Sequence, residues 1–472
     1  MLRPSHSPRL AVQAAILPAL VLTALFSGCQ ARATVPPAAP LSAAQAAPPP
    51  AQAAVVSPQA AVRPMGVDTF DDVKAVFKEI TSLAPAPAQA RADELWQTLV
   101  ARGRVPWTDG TKVVFFYKGQ AEQVNWRGSF NAWGEPGLAG ARVGQTDLWI
   151  AYTEFPEASR AEYKIVLNGE DWVVDPANPN TAFSGLNGAN NVVTLPGFSV
   201  SDESKKRAEV TPGALTGDLT LNSQALGYAV NYRVYMPAGY EGLARLPVIY
   251  VLDGNDFGDE RMGALPNVLD NLIADGRIAP ALAVFIDSRE PGNPQRNRRE
   301  DEFLVRPVEH ARFVAGELVP VVDGAYRTDP RPDARVIMGV SYGGLSAYYL
   351  AASQSAVFHN LAAFSPSLWV LDSPQYVTDQ KQLEGSRQML PAVSGPAIAC
   401  GGDTGYTCPR LPVKIFLSAG LATWDVGDFR NLAETLDQQG YPLEFHQVRE
   451  GHTWDNWRGL TDEMLLYFFG KD

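Results

Sequence analysis

Val336-Ile337-Met338-Gly339-Val340-Ser341-Tyr342-Gly343-Gly344-Leu345 reads as a buried strand that runs into a tight turn and leaves it as a helix continuing through Tyr348 and Leu350. The turn has the form Gly-x-Ser-x-Gly. Its backbone folds so sharply that a Cβ at a flanking glycine would clash, and the strain lifts the central hydroxyl into the open. Ser341 is therefore a candidate nucleophile, and a serine hydroxyl, weak by itself, requires a base.

The chain has five histidines, at 6, 310, 359, 446 and 452. His452 follows an expected strand in Glu450-Gly451-His452-Thr453-Trp454-Asp455-Asn456-Trp457-Arg458, near the carboxyl end, where the order serine, acid, histidine requires the base. His446 lies within the strand pattern, and His310 and His359 are expected on helices far from strand ends. The bland alternative for His452 is a solvated loop residue. An imidazole acting as base needs an acid to hold its tautomer. The loop after the expected strand 413–417 offers Asp425, which is preferred, and Asp428; both also suit the start of the next helix, with Asp428 as its N-cap. For the developing oxyanion the donors are the backbone N–H of Tyr342, after the nucleophile, and that of Asn255 in Leu252-Asp253-Gly254-Asn255. No cofactor or metal is called for, since His and Cys show no ligand spacing.

On both sides of this turn, strands and amphipathic helices alternate from 214 to 472, which predicts an α/β domain with a mostly parallel sheet. Strands are expected at 232–236, 248–252, 282–286, 335–338, 413–417 and 443–448, with helices at 265–274, 308–322, 345–353, 429–439 and 460–469. Residues 198–213 are polar and fit a linker. Between 106 and 197, short alternating strands separated by Gly, Asn and Pro predict a small immunoglobulin-like β-sandwich. Trp126, Trp133, Trp149 and Trp172 lie in it, either as core and interface residues or as platforms for sugar rings. Residues 66–105 carry helical spacing, and 29–65 are an Ala/Pro-rich tether.

Residues 1–28 read as an export signal, with Arg3 and Arg9 ahead of an apolar stretch. Leu25-Phe26-Ser27-Gly28-Cys29 resembles a bacterial lipobox, which would make Cys29 a lipid anchor; cleavage after Ala31-Arg32-Ala33 is the competing reading. Cys400 and Cys408, the remaining cysteines, are expected to close a small disulfide loop in an oxidising compartment, the periplasm or the cell surface. The composition, 472 residues with 46% hydrophobic, supports a large core. A formal charge of −12 opposes the phosphate neutralisation that nucleic-acid binding requires.

Val251-Leu252-Asp253-Gly254, Arg299-Glu300-Asp301-Glu302, Gly339-Val340-Ser341-Tyr342-Gly343-Gly344 and Gly451-His452-Thr453-Trp454-Asp455-Asn456-Trp457-Arg458 occur in one order along the chain. In this the stretch from about 214 to 472 resembles the esterase family that holds enterochelin esterases, the feruloyl and acetylxylan esterases of carbohydrate esterase family one, and the mycolyltransferases. Gly128-Ser129-Phe130-Asn131-Ala132-Trp133 resembles the early-set modules that precede many of these enzymes. The resemblance implies an α/β-hydrolase fold, Ser341 as nucleophile, His452 as base, and the N–H groups of Asn255 and Tyr342 as oxyanion hole. Two positions depart from the pattern. Thr423 stands where family members often carry an acid, and Glu450 replaces the first of a frequent glycine pair.

The expectation is an exported, lipid-anchored serine esterase whose substrate is a small-molecule or polysaccharide-linked ester. A siderophore lactone and a hydroxycinnamoyl or acetyl ester are the leading classes, and acyl transfer would use the same site. Arg299, Trp454 and Trp457 are candidate substrate contacts, though the Arg296, Arg298 and Arg299 cluster also reads as a solvated loop with an Arg299–Glu302 pair. The rival from another class is a catalytically idle lipoprotein that holds glycans through its β module.

Overall fold

A computed structural model of the chain describes residues 65–134, 137–184, 188–372, 410–421, 423 and 426–471. Its largest sheet lies in the second half and runs, in spatial order, Ala214–Leu215, Ala229–Met236, Leu282–Asp287, Val248–Val251, Arg335–Val340, Asn360–Phe364, Lys414–Gly420 and Leu443–Val448; Leu219–Asn222 also pairs with Ala229–Met236. From Leu282–Asp287 to Leu443–Val448 every pairing is parallel, whereas those made by Ala229–Met236 are antiparallel. The chain fills one side of Val248–Val251 first and then crosses to the other, so strand order reverses between Val248–Val251 and Arg335–Val340. Crevices of parallel sheets open at the carboxyl ends of such strands, and Asp253 and Ser341 sit there.

Both faces of this sheet are buried, as parallel strands require. Val248 and Tyr250 point into one apolar layer with Leu345, Leu350 and Phe358, while Ile249 and Val251 point into the other with Leu265, Leu269, Met464 and Leu465. Asn360–Phe364 is a strand that periodicity does not reveal. Asn-Leu-Ala-Ala-Phe is short, Ala-rich and buried throughout, so it shows no alternation. Its position also corrects the expectation for His359, which immediately precedes the strand's amino end and bonds Asp333 through Nδ1 at 2.7 Å. The helix expected over 308–322 spans Pro307–Arg312, a wide-turned segment Phe313–Leu318 and Val319–Ala325. Pro320, at the start of the last piece, has no N–H to donate, which interrupts the regular ladder there.

Two sheets stand ahead of this domain. One joins Trp107–Asp109, Lys112–Lys118, Leu148–Glu154 and Ala141–Arg142; the other joins Leu138–Ala139, Val124–Gly128, Arg160–Leu167, Ala189–Thr194 and Thr181–Phe183, with Asp171–Val173 on Arg160–Leu167. They enclose Val113, Phe115, Trp126, Trp149, Tyr163 and Ile165. The helices Phe70–Ser82 and Pro85–Ala101 cover the outer face of the first sheet through Val73, Ile80, Leu95 and Leu99, which meet Val114 and Phe116. Thr69 begins the first helix with a reciprocal side-chain and backbone cap to Asp72.

The turn after Val248–Val251 lies against the neighbouring strand so closely that a Cβ on Gly254 would stand 2.3 Å from the Ile286 nitrogen. Gly254→Ala is expected to lower stability by about 2 kcal/mol, the scale of an overpacked core. Gly217→Ala, with nothing within 4 Å, should change it by less than about 0.5 kcal/mol in the same urea titration.

Candidate active site

Ser341 has φ 56° and ψ −122° at the head of the helix Tyr342–Ser353, a conformation that L-residues rarely adopt. The glycines permit it. A Cβ on Gly339 would meet the Gly343 oxygen at 2.3 Å, and one on Gly343 would meet Asp253 Oδ2 at 2.5 Å. The bend is held from outside, since Ser341 N–H donates to Phe364 O at 2.9 Å and Ser367 N–H to Ser341 O at 3.1 Å. The Ser341 hydroxyl lies 3.2 Å from Ser367 Oγ. Nothing in the sequence marks Ser367, because Asn360–Phe364, the strand that delivers Ser365-Pro366-Ser367, is buried throughout and shows no alternation.

His452 and Ser341 open into one cavity of about 320 Å³, which brings together the residues expected as nucleophile and base. The imidazole is edge-on to Trp457, with centroids 5.0 Å apart at 89°. Trp457 donates through Nε1 to Ser365 Oγ at 3.2 Å, and Trp454 packs edge-on against both Trp457 and Phe257. Trp454 and Trp457 line the cavity, but they are 9% and 5% exposed and mainly form the wall that fixes the ring. Burial, with a smaller contribution from the Arg299 charge, pulls the His452 pKa down to about 4. The ring is therefore neutral, as a base must be, across the neutral range.

Arg299 lines the same cavity, but its guanidinium is engaged. It donates to Asp253 Oδ1 at 2.6 Å and Oδ2 at 2.8 Å, and to Val340 O at 3.0 Å. The partner is thus Asp253, not Glu302, whose carboxylate instead accepts from Tyr228 at 3.1 Å. One side chain ties the strand end beside Ser341 to the strand end beside Asn255. Asn255 stands second in the short helix Gly254–Phe257 and Tyr342 first in Tyr342–Ser353, positions whose N–H groups the helix itself leaves unused. Among the described residues neither N–H has a protein acceptor. Asp425, preferred as the acid, lies outside the described residues, as do Cys29, Cys400 and Cys408. Asp428 is exposed in the first turn of Val426–Gln438.

The far wall of the cavity belongs to the β-sandwich and consists of Trp133, Glu162, Lys164, Trp172, Ser184 and Asn190. Strand alternation explains the set. Along Arg160–Leu167, Ala161, Tyr163 and Ile165 enter the sandwich core, which turns Glu162 and Lys164 outward. Of the four tryptophans, Trp126 and Trp149 are core residues, while Trp133 and Trp172 form a tilted pair 6.4 Å apart at the cavity. Burial raises the Glu162 pKa to about 7 against the opposing bond from Asn190 Nδ2 at 2.7 Å, and burial with the Asp253 charge raises that of Asp256 to about 6.

Two outcomes follow from the charges. Arg299→Met leaves the carboxylate of Asp253, only 4% exposed, without its counter-charge and is expected to destabilise the fold by about 3 kcal/mol in denaturant. Because burial disfavours the charged imidazole, kcat/KM for a small neutral ester should hold level down to about pH 5 and fall through a midpoint near 4. A midpoint above 6 would show that a partner carboxylate outweighs burial at the ring.

A family model described as Putative esterase matches residues 223–468. An iron(III) enterobactin esterase of Dickeya dadantii is 28% identical over 233 residues, 48% of this chain and 49% of that protein. The chain thus spans about half the length of that curated relative. An endo-1,4-beta-xylanase/feruloyl esterase of Xylanibacter ruminicola is 25% identical over 174 residues, 35% of this chain and 23% of that one. A crystal structure of the enterobactin esterase of Shigella flexneri, in the presence of enterobactin, superposes with a TM-score of 0.56 at 20% identity. It covers 76% of this chain and 92% of its own, a share too large for the residues from 214 onward alone. The fold likeness therefore reaches into the sandwich. With its matching region over more than half of its length, and with the Ser341 elbow, the His452 loop and the Asp253-Gly254-Asn255 turn all inside that region, the chain belongs to the putative esterase family.

Proposed function

We propose that the protein is a serine carboxylic ester hydrolase. The observation that carries this reading is the shared cavity of Ser341, strained on its elbow, and the neutral His452. Ser341 Oγ attacks the ester carbonyl as His452 takes its proton, and the N–H groups of Asn255 and Tyr342 receive the oxyanion. Collapse expels the alcohol, protonated by His452, and leaves an acyl-enzyme. Water activated by the same ring then releases the acid. Asp425 is the proposed third member of the triad. An alcohol acceptor in place of water would turn the same steps into acyl transfer.

Charge supports one substrate class over another. Among the described residues the cavity holds two cationic side chains, Lys164 and Arg299, against three acids, Glu162, Asp253 and Asp256. A trianionic ferric tris-catecholate would enter that field without a cationic surplus to receive it. The proposed substrate is instead an uncharged ester, hydroxycinnamoyl or acetyl, on a sugar whose ring meets Trp133 and Trp172. The fold likeness to an enterobactin esterase across both domains favours the siderophore lactone as the second reading. The proposed setting is a periplasmic or surface lipoprotein, anchored through Cys29 and carrying a Cys400–Cys408 disulfide.

Ser341→Ala is expected to reduce hydrolysis of p-nitrophenyl acetate by at least about a thousandfold. Equal rates for parent and variant would favour an idle glycan-binding protein. In a panel of methyl ferulate, acetylated xylan and ferric enterobactin, the neutral esters should be turned over fastest, and preference for the siderophore would reverse the choice of substrate. Asp425→Asn should cost more than about tenfold in kcat and Asp428→Asn almost nothing.

A further inference from the structure

Arg160 of the β-sandwich is the first residue of the strand Arg160–Leu167, yet its side chain and backbone both act on the hydrolase domain. Its N–H donates to Arg449 O at 2.9 Å. Its guanidinium pairs with Asp455 through Nη2 and stands 3.6 Å from Glu450 Oε2 through Nη1. Glu450 lies two residues before His452 and Asp455 three after it. One side chain of the neighbouring domain therefore grips both flanks of the catalytic loop, and Arg449 returns the contact by donating to Glu157 O at 3.0 Å.

Within the loop every link is short and local. Thr453 Oγ1 donates to Glu450 Oε2 at 2.9 Å and accepts from Asn456 N–H, capping the helix Trp454–Arg458. Asn456 Nδ2 donates to Gly451 O at 2.7 Å, on the carbonyl that leads into His452. The same helix carries Trp454 and Trp457, the wall of the imidazole. Glu450 and Asp455 are 3% and 13% exposed, and Arg458 shares Asp455 with Arg160. Asp455 is held from two sides, by Arg458 of its own helix and by Arg160 of the sandwich, while burial raises the Glu450 pKa to about 7 against the more distant Arg160 charge.

We propose that Arg160 is a positioning residue for His452: by clamping Glu450 and Asp455 it sets the ring's approach to Ser341, so the sandwich is a working part of the catalytic apparatus as well as a wall of the cavity. This rests on the serine hydrolase reading above. A ring misplaced by about an ångström loses proton transfer far more than it loses binding of a small ester, and the expected cost is about ten- to a hundredfold in rate.

The experiment uses the full chain with p-nitrophenyl acetate and follows kcat and KM separately, together with thermal melting. Arg160→Met should lower kcat by about ten- to a hundredfold with KM changed less than about threefold, and Arg160→Lys should recover part of kcat. Asp455→Asn should lower kcat in the same way, and the Arg160→Met/Asp455→Asn double variant should be no worse than the poorer single, because both break one clamp. Fully additive losses, a loss confined to KM, or parental kcat in a folded Arg160→Met would overturn the proposal while leaving the hydrolase reading intact. If Arg160→Met fails to fold, Asp455→Asn and Arg160→Lys decide by the same split. A parent no faster than Ser341→Ala would sink the hydrolase reading and this inference with it.

Discussion

The buried pair between Arg299 and Asp253 is where the catalytic end of the molecule is fastened. Two parallel strands that end side by side would otherwise present loose loops to solvent. A single guanidinium, bonded to both oxygens of Asp253 and to Val340 O, locks the loop bearing Asn255 to the strand that runs into Ser341. Gly343 completes the fastening, because its missing side chain lets Asp253 Oδ2 lie where a Cβ would be. The same charge lies near enough to His452 to disfavour its protonation. This contact thus sets how the loop bearing Asn255 stands against Ser341, and it adds a smaller share to the burial that keeps the His452 ring neutral.

How much of this the residues announced depended on the range of each interaction. The strand-turn-helix around Ser341 was legible because its requirements are local: two glycines, a serine and apolar flanks. His452 could be picked out by chain order and by the scarcity of histidines, and the structure places it on the same cavity as Ser341. The partner of Arg299 was not, since Asp253 lies 46 residues away and nothing in either stretch names the other. Asn360–Phe364 escaped because a strand buried on both faces has no period to read. Its loss concealed Ser365 and Ser367, the supports of Trp457 and Ser341. Arg160, Glu162 and Lys164, alternating along a strand, look like a solvated face until the other domain is set against them.

The two domains keep separate interiors. The sandwich closes on Phe115, Trp126, Tyr163 and their neighbours, and the α/β domain on layers that share none of them. What joins them is largely polar and partly ionic beside His452, and Phe183 of the sandwich adds an apolar contact by packing on the α/β domain beneath the Arg261 guanidinium. Interfaces of this kind bring side chains from different cores into contact at defined angles because each core holds its own strands rigid. The cavity is thereby built of two kinds of wall. One presents Ser341, His452 and the Arg299–Asp253 pair; the other presents Trp133, Trp172, Glu162 and Asn190.

Because those walls answer to independent interiors, inherited variation can act on them unequally. Substitutions at Trp133 or Trp172 alter neither the elbow nor the strand packing that sustains it, so a lineage is free to change its diet of esters by recutting one face while its chemistry stays as it was.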